Sequence, residues 1–316
     1  MTADATGTFG RVQGEVDATQ WEQFDRDGVV SLGQVISPEL ADRLAQRGDE
    51  LATGVASNPH VAMQLDTGGD YEAIPEAVAN FEESTLLYRK VQGLEHDDLF
   101  RPVLHLPIVK EVCERMYNRH AGVSIFRAML MNKPAGQGTY LPWHQDGGDV
   151  WGLDRDPLVT LWLALDDATP DSGCMEFIPG SHHLGLLSPR GSTLSDDLAQ
   201  QSCPPGAQRF LAARKGEMLL LHNWTIHRSG VNTSTRPRRA FTTCLMDGRT
   251  ISTSTGNRWP MLFGDALPEP YPFVRQLQVD TAFLRNAAAR SEEYALSLVA
   301  EVDKLRAALA TLADHS

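Results

Sequence analysis

The stretch Trp143-His144-Gln145-Asp146-Gly147-Gly148 places an imidazole and a carboxylate two residues apart, just after a run that reads as strand. Alternate residues of a strand point to one side, so His144 and Asp146 can reach a common point. One more histidine from elsewhere would complete three ligands on one face of an octahedron. That is the facial triad of non-haem Fe(II) oxygenases, with positions left open for substrates. The spacing alone is not specific, since most His-x-Asp triplets are surface or hydrogen-bonded pairs. Two candidates for the third ligand lie in 221–230: His222, which ends a strand, and His227, which begins His-Arg-Ser-Gly-Val-Asn. Beyond His227, across an expected hairpin, come Arg236, Arg238 and Arg239. A guanidinium is a planar fork that holds a carboxylate with two parallel hydrogen bonds. An oxygenase that uses 2-oxoglutarate needs such a group for the carboxylate remote from the metal.

The elements that must carry these groups read as short strands. Residues 123–126 and 129–131 form a strand that stops at Pro134-Ala135-Gly136, and 158–165, 174–178, 217–221 and 239–246 are further strands rich in β-formers. Short strands between Gly/Pro turns, without regularly alternating helices, predict an antiparallel barrel or jelly roll. Around it, 17–27 reads as a helix capped by Asp17 or Thr19 and ended at Gly28, followed by a strand at 29–32. Ser37-Pro38-Glu39 starts the next helix, with Leu40, Leu44 and Leu51 on one face. Residues 54–79 read as loop, and 86–118 as mostly helical, which puts Lys90 on a helix. In the tail, Ala295, Leu298, Val302, Leu305, Leu309 and Leu312 form a heptad seam. It fits packing on its own barrel as well as a homodimer contact. The expected organisation is a single domain over 1–316: a leader at 1–16, a mostly helical buttress at 17–121, the β core at 122–250 and a C-terminal helix at 280–314.

Composition narrows the function. With 42% hydrophobic and 22% charged residues the chain is globular, and no apolar run approaches the ~20 residues a membrane span requires. The first ten residues lack the basic-then-apolar order of a signal peptide. Four scattered cysteines form neither a disulfide framework nor a Cys-x-x-Cys site, so a reducing cytoplasm is expected. A net charge of -13 argues against nucleic acid or anionic membrane as partner, leaving a small-molecule substrate.

Six blocks in this order resemble the phytanoyl-CoA dioxygenase (PhyH) family of Fe(II)/2-oxoglutarate oxygenases. They are Lys90-Val91-Gln92 with Leu99-Phe100-Arg101; Met129-Leu130-Met131-Asn132-Lys133-Pro134; Trp143-His144-Gln145-Asp146; Trp162 in its strand; Ser172-Gly173-Cys174 through Pro179-Gly180-Ser181-His182; and His227-Arg228-Ser229-Gly230-Val231-Asn232 through Arg238. The resemblance covers about residues 20 to 246 and implies a double-stranded β-helix, cupin-like in layout. It implies iron held by His144, Asp146 and His227, and 2-oxoglutarate held by Arg238 with Ser229 beside it. Lys90, Met129 and Trp162 match family positions lining the same pocket. The family often has Gly where this chain has Arg228. His182 and His183 follow a turn and border either substrate or solvent.

The implied reaction consumes Fe(II)-bound 2-oxoglutarate and O2, releases succinate and CO2, and oxidises a C–H bond. Related halogenases lack the carboxylate that Asp146 provides, so hydroxylation, desaturation or ring closure is expected. Family members act on acyl-CoAs, ectoine and secondary metabolites. The Lys-Val-Gln and Asn-Lys-Pro blocks lean towards acyl-CoA, while the acidic balance leans towards tailoring of a small secondary metabolite, such as an antibiotic. A non-redox metal isomerase or hydrolase on the same barrel would need no Arg238.

Overall fold

The computed structural model describes residues 15–68, 78–79, 85–117, 122–188 and 193–264. The expected leader, up to residue 14, and the C-terminal helix at 280–314 lie outside the described residues. Val16 is already core, its amide donating to the Glu111 carboxylate at 3.1 Å.

The first helix, α1 (Ala18–Asp27), is closed by a reciprocal capping box between Asp17 and Gln20. It ends on Gly28 in the left-handed region, φ 77°, where a Cβ would strike the Thr225 hydroxyl. The turn after α1 is thereby pressed against the loop that leads to His227. β1 (Val29–Gln34) follows, then α2 (Pro38–Ala52), whose Ser37 cap accepts from Leu40. Next come β2 (Ala62–Leu65), β3 (Val78–Ala79), β4 (Tyr88–Gln92), α3 (Arg101–Leu104) and α4 (Pro107–Met116). The remaining elements are β5 (Val123–Lys133), β6 (Leu141–His144), β7 (Val159–Ala164), β8 (Met175–Phe177), α5 (Asp196–Ser202), β9 (Arg209–Leu211), β10 (Glu217–His222), β11 (His227–Ser229), β12 (Arg238–Asp247) and β13 (Met261–Phe263).

The strands form two antiparallel sheets. The larger runs β1-β10-β7-β12-β5-β4-β2-β3, with β13 also on β5; the smaller runs β6-β11-β8-β9. This layout is consistent with a jelly-roll core. Alternation along β7 shows how the layers divide. Leu161 and Leu163 join the main apolar cluster with Leu44 of α2 and Ile108 of α4, while Thr160 and Trp162 face a cavity between the sheets. Among the described residues no helix is long and apolar enough to cross a membrane.

Three expectations are corrected. The stretch 86–118, expected to be mostly helical, opens with a strand, Tyr88–Gln92, so Lys90 sits on β4, paired with Met131. The ladder to β5 satisfies backbone groups that local helix propensity would have paired within the segment. The loop expected at 54–79 contains β2, which extends the same sheet through β4. The expected hairpin from His227 to Arg238 is a crossover, since β11 belongs to the small sheet and β12 to the large one. Asn232 shapes that crossover, its amide donating to the carbonyls of Lys133 and Arg236 at 3.0 and 2.7 Å.

Candidate active site

β6 and β11 pair so that His144 lies directly opposite His227, with ring centroids 4.0 Å apart. Each Nδ1 faces a carbonyl, Pro142 O at 2.8 Å for His144 and Thr225 O at 2.9 Å for His227. A carbonyl only accepts, so each Nδ1 carries the proton and each Nε2 keeps a lone pair for a metal. Burial, then the neighbouring His227 ring, pushes the His144 pKa down to about 3, so protons do not compete for that lone pair at neutral pH.

Asp146 lies beyond the end of β6, so the strand's pleat does not aim it. Its amide donates to Asn223 O at 2.7 Å, which fixes the turn. One carboxylate oxygen then lies 4.0 Å from His227 Nε2. Donor atoms of His144, Asp146 and His227 all fall within 4.8 Å of one another. Two neutral imidazoles and one carboxylate are the donor set suited to ferrous iron with open positions. Gln145 turns the other way and is fully buried; it donates to Gly185 O and Trp224 O and accepts from Leu187 N.

The cavity beside these ligands has a volume of about 190 Å³. Arg238, the first residue of β12, is 3% exposed and lines it. Its Nη2 donates to Gly173 O at 3.0 Å, its guanidinium carbon lies 5.6 Å from the Trp162 ring, and its Nε is buried without a partner. Burial lowers the Arg238 pKa to about 10, which leaves it charged at neutral pH. An unpaired buried donor on a cation facing a cavity suits an anionic ligand. Gly173 is held to glycine, because at φ 73° a Cβ would meet Gly230 O at 2.7 Å.

The other arginines compete poorly for that place. Arg239 turns to the opposite face and grips Asp166 with two parallel hydrogen bonds, at 2.7 and 3.0 Å. Arg236 is exposed. Ser229, Met129, Trp162 and Lys90 line the same cavity as Arg238. Burial, then the charges of Arg89 and Arg127, lowers the Lys90 pKa to about 7.

His222 is not part of the triad. Its Nδ1 accepts from Trp224 N, and its ring packs with Phe24 and His182. His182 and His183 stack on each other beside it rather than lining the cavity. Arg228 pairs with Glu176 at 2.8 Å and covers the Trp143 ring at 4.4 Å. It therefore stabilises the small sheet outside the cavity. Trp151 lines the cavity, whereas Trp143 packs against the cluster of Ile178, Leu194 and Ile226.

Sequence reasoning missed Arg127, Thr160 and Cys244 on the cavity wall, and Asn223 behind Asp146. The signal for Arg127 was present: counting by twos from Met129 along β5 places Arg127 and Met131 on the same face.

Comparison with known proteins follows the same lines. A family model described as phytanoyl-CoA dioxygenase (PhyH) matches residues 24–240. The zebrafish (Danio rerio) phytanoyl-CoA dioxygenase domain-containing protein 1 is 25% identical over 269 residues, covering 75% of this chain and 92% of the relative. L-proline trans-4-hydroxylase of Streptomyces griseoviridis is 24% identical over 240 residues, covering 68% and 81%. The crystal structure of SnoK, a non-haem, α-ketoglutarate-dependent carbocyclase from nogalamycin biosynthesis, superposes with a TM-score of 0.58 at 19% identity, covering 80% of this chain and 96% of that one. At that identity the superposition shows a shared fold.

Proposed function

The chain belongs to the phytanoyl-CoA dioxygenase (PhyH) family and is a non-haem iron, 2-oxoglutarate-dependent oxygenase, and from that premise we propose that it hydroxylates or otherwise oxidises a C–H bond of a small molecule in secondary-metabolite tailoring. The observation that carries the reading is the convergence of His144, Asp146 and His227 beside a cavity whose wall holds the buried, partly unsatisfied Arg238. We read the two sheets as a double-stranded β-helix.

In this reading His144 and His227 hold ferrous iron through Nε2, and Asp146 through its carboxylate. Iron held there would supply, with 2-oxoglutarate and O2, the oxidation of a substrate C–H bond with release of succinate and CO2. Arg238 takes the carboxylate of 2-oxoglutarate remote from the metal, and Ser229 lies beside it. Trp162 and Met129 wall the cosubstrate on one side and exclude water, which strengthens every charge contact inside. Lys90 adds a cation to the same wall. The Pro142 and Thr225 carbonyls keep both imidazoles in the ligating tautomer through the cycle.

A small-molecule substrate suits the cavity better than a whole acyl-CoA. About 190 Å³ admits 2-oxoglutarate and the reacting end of a partner, and the acidic balance of the chain, net charge -13, leans away from CoA. The named activity of the Streptomyces griseoviridis relative, hydroxylation of L-proline, is of this class.

Anaerobic titration tests the reading. Fe(II) followed by 2-oxoglutarate should raise a weak visible charge-transfer band, and exposure to air should release succinate. His227→Ala should lose both. Metal binding without the band, or turnover independent of 2-oxoglutarate, would instead mark a non-redox isomerase or hydrolase.

A further inference from the structure

The cavity has two ends, and only one is accounted for by the cosubstrate. Along β5 and β12 the register pairs Arg238 with Lys133 and Cys244 with Arg127. Each partner is six residues from its counterpart on the same strand, so Arg127 and Arg238 are separated by about 20 Å of sheet. Both side chains reach the cavity, from opposite ends of one face.

Arg127 is held as a binding group would be. Its guanidinium carbon lies 4.5 Å from the Phe126 ring and 4.8 Å from the Trp151 ring, and those rings stack at 5.0 Å. Trp259 braces Phe126 edge-on at 5.8 Å. Contact with ring faces orients a guanidinium without using its N–H donors. Among the described residues the Arg127 side chain has no carboxylate and no hydrogen-bond partner. Of the other polar groups on that cavity wall, Arg89 and Lys90 are basic, Cys244 is a buried thiol, and Asp146 is assigned to the metal.

The charge balance points the same way. Iron held by the triad would be offset by Asp146 and one carboxylate of 2-oxoglutarate, and the other carboxylate would offset Arg238. Arg127 is left without a counter-charge inside a chain that is strongly acidic overall. The half-buried Arg127 thus keeps its N–H donors available to an anionic ligand in the cavity.

We propose that Arg127, set against Phe126 and Trp151, is a specificity-determining residue that receives a carboxylate of the substrate to be oxidised. The inference rests on the oxygenase reading and names the substrate class of that site: a small carboxylic acid, docked by its carboxylate at the end of the cavity remote from Arg238. The Trp151 ring gives the adjoining carbon skeleton a flat apolar wall.

The test uses the anaerobic Fe(II)–2-oxoglutarate complex of the full chain, titrated with matched probes, hexanoate against hexanamide and benzoate against benzamide. Perturbation of the visible band and isothermal calorimetry are the readouts. In the wild type the acids should bind and the amides should not. Arg127→Gln should weaken acid binding about 10- to 100-fold, the worth of a charge-assisted bidentate contact, and Arg127→Lys should recover part of it. Affinity for 2-oxoglutarate should be unchanged in both variants.

Equal binding of acids and amides, or no binding of any probe at millimolar concentrations, overturns the proposal. So does a loss of 2-oxoglutarate affinity in Arg127→Gln, which would give Arg127 to the cosubstrate. Failure of the oxygenase reading looks different, because 2-oxoglutarate would then raise no band in the wild type.

Discussion

The main-chain amide of Asp146 donates to the carbonyl of Asn223 across 2.7 Å, so the carboxylate of the triad is aimed by a residue from the far side of the chain. The Asn223 side chain is itself locked, its Oδ1 accepting from Thr160 Oγ1 at 2.9 Å and its Nδ2 donating to Cys244 Sγ at 3.4 Å. Asn223→Ala should unseat both. Expected are a loss of about 1–3 kcal/mol in urea unfolding, from the stranded Thr160 hydroxyl, and at least about a tenfold weaker Fe(II) affinity, from the loosened Asp146 turn. Unchanged metal affinity would show that the turn holds without Asn223.

Arg238→Gln should raise the 2-oxoglutarate KM at least about tenfold while leaving Fe(II) binding intact. Gly173→Ala should produce the same kinetic pattern without touching the cation. The added methyl has nowhere to go beside Gly230 O, and the shift carries away the carbonyl that holds Arg238. Normal cosubstrate kinetics in both variants would remove Arg238 from the cosubstrate site.

Asp166→Ala separates structure from chemistry one residue away. Asp166 holds Arg239 by a two-point contact on the outer face, and its loss should cost about 2 kcal/mol of stability. The 2-oxoglutarate KM should not change. A raised KM would mean that the neighbouring strand residues are not independent.

How much of this was legible in advance follows from which forces act locally. The capping box at Asp17, the Ser37 cap and the Gly28 stop are written in adjacent residues, and the helices begin and end there. His144, Asp146 and His227 are singled out by the six-block resemblance rather than by spacing, and the structure brings their donor atoms within 4.8 Å of one another; Asp146 is placed by a hydrogen bond that no pattern reveals. The strand at Tyr88–Gln92 was not legible. Leu86-Leu87-Tyr88-Arg89-Lys90 is tolerable helix sequence, and only the ladder supplied by β5 decides otherwise. Arg127 went unread for a different reason: an arginine inside a β-rich run resembles a solvated face until Trp151, distant in sequence, packs against it.

His222 gives the pH dependence a sign. Burial, then the charges of His182 and His183, lowers its pKa from 6.5 to about 4. The unfolded chain therefore takes up a proton at higher pH than the folded one. The stability at stake is fully present above pH 6.5 and is lost as pH falls from there through about 4. His222→Asn keeps an acceptor for the Trp224 amide but does not titrate. Between pH 7 and pH 5 its Tm should fall less than that of the wild type, and an equal fall would assign the acid sensitivity elsewhere.

The strands that carry the two histidines are short, Leu141–His144 and His227–Ser229, and their pairing slips between His227 and Ser229. An ion clasped by both would act as a rivet across that short, irregular seam. Iron scarcity would then shorten the lifetime of the protein as well as slow its turnover, and a protease would degrade the empty enzyme before the loaded one.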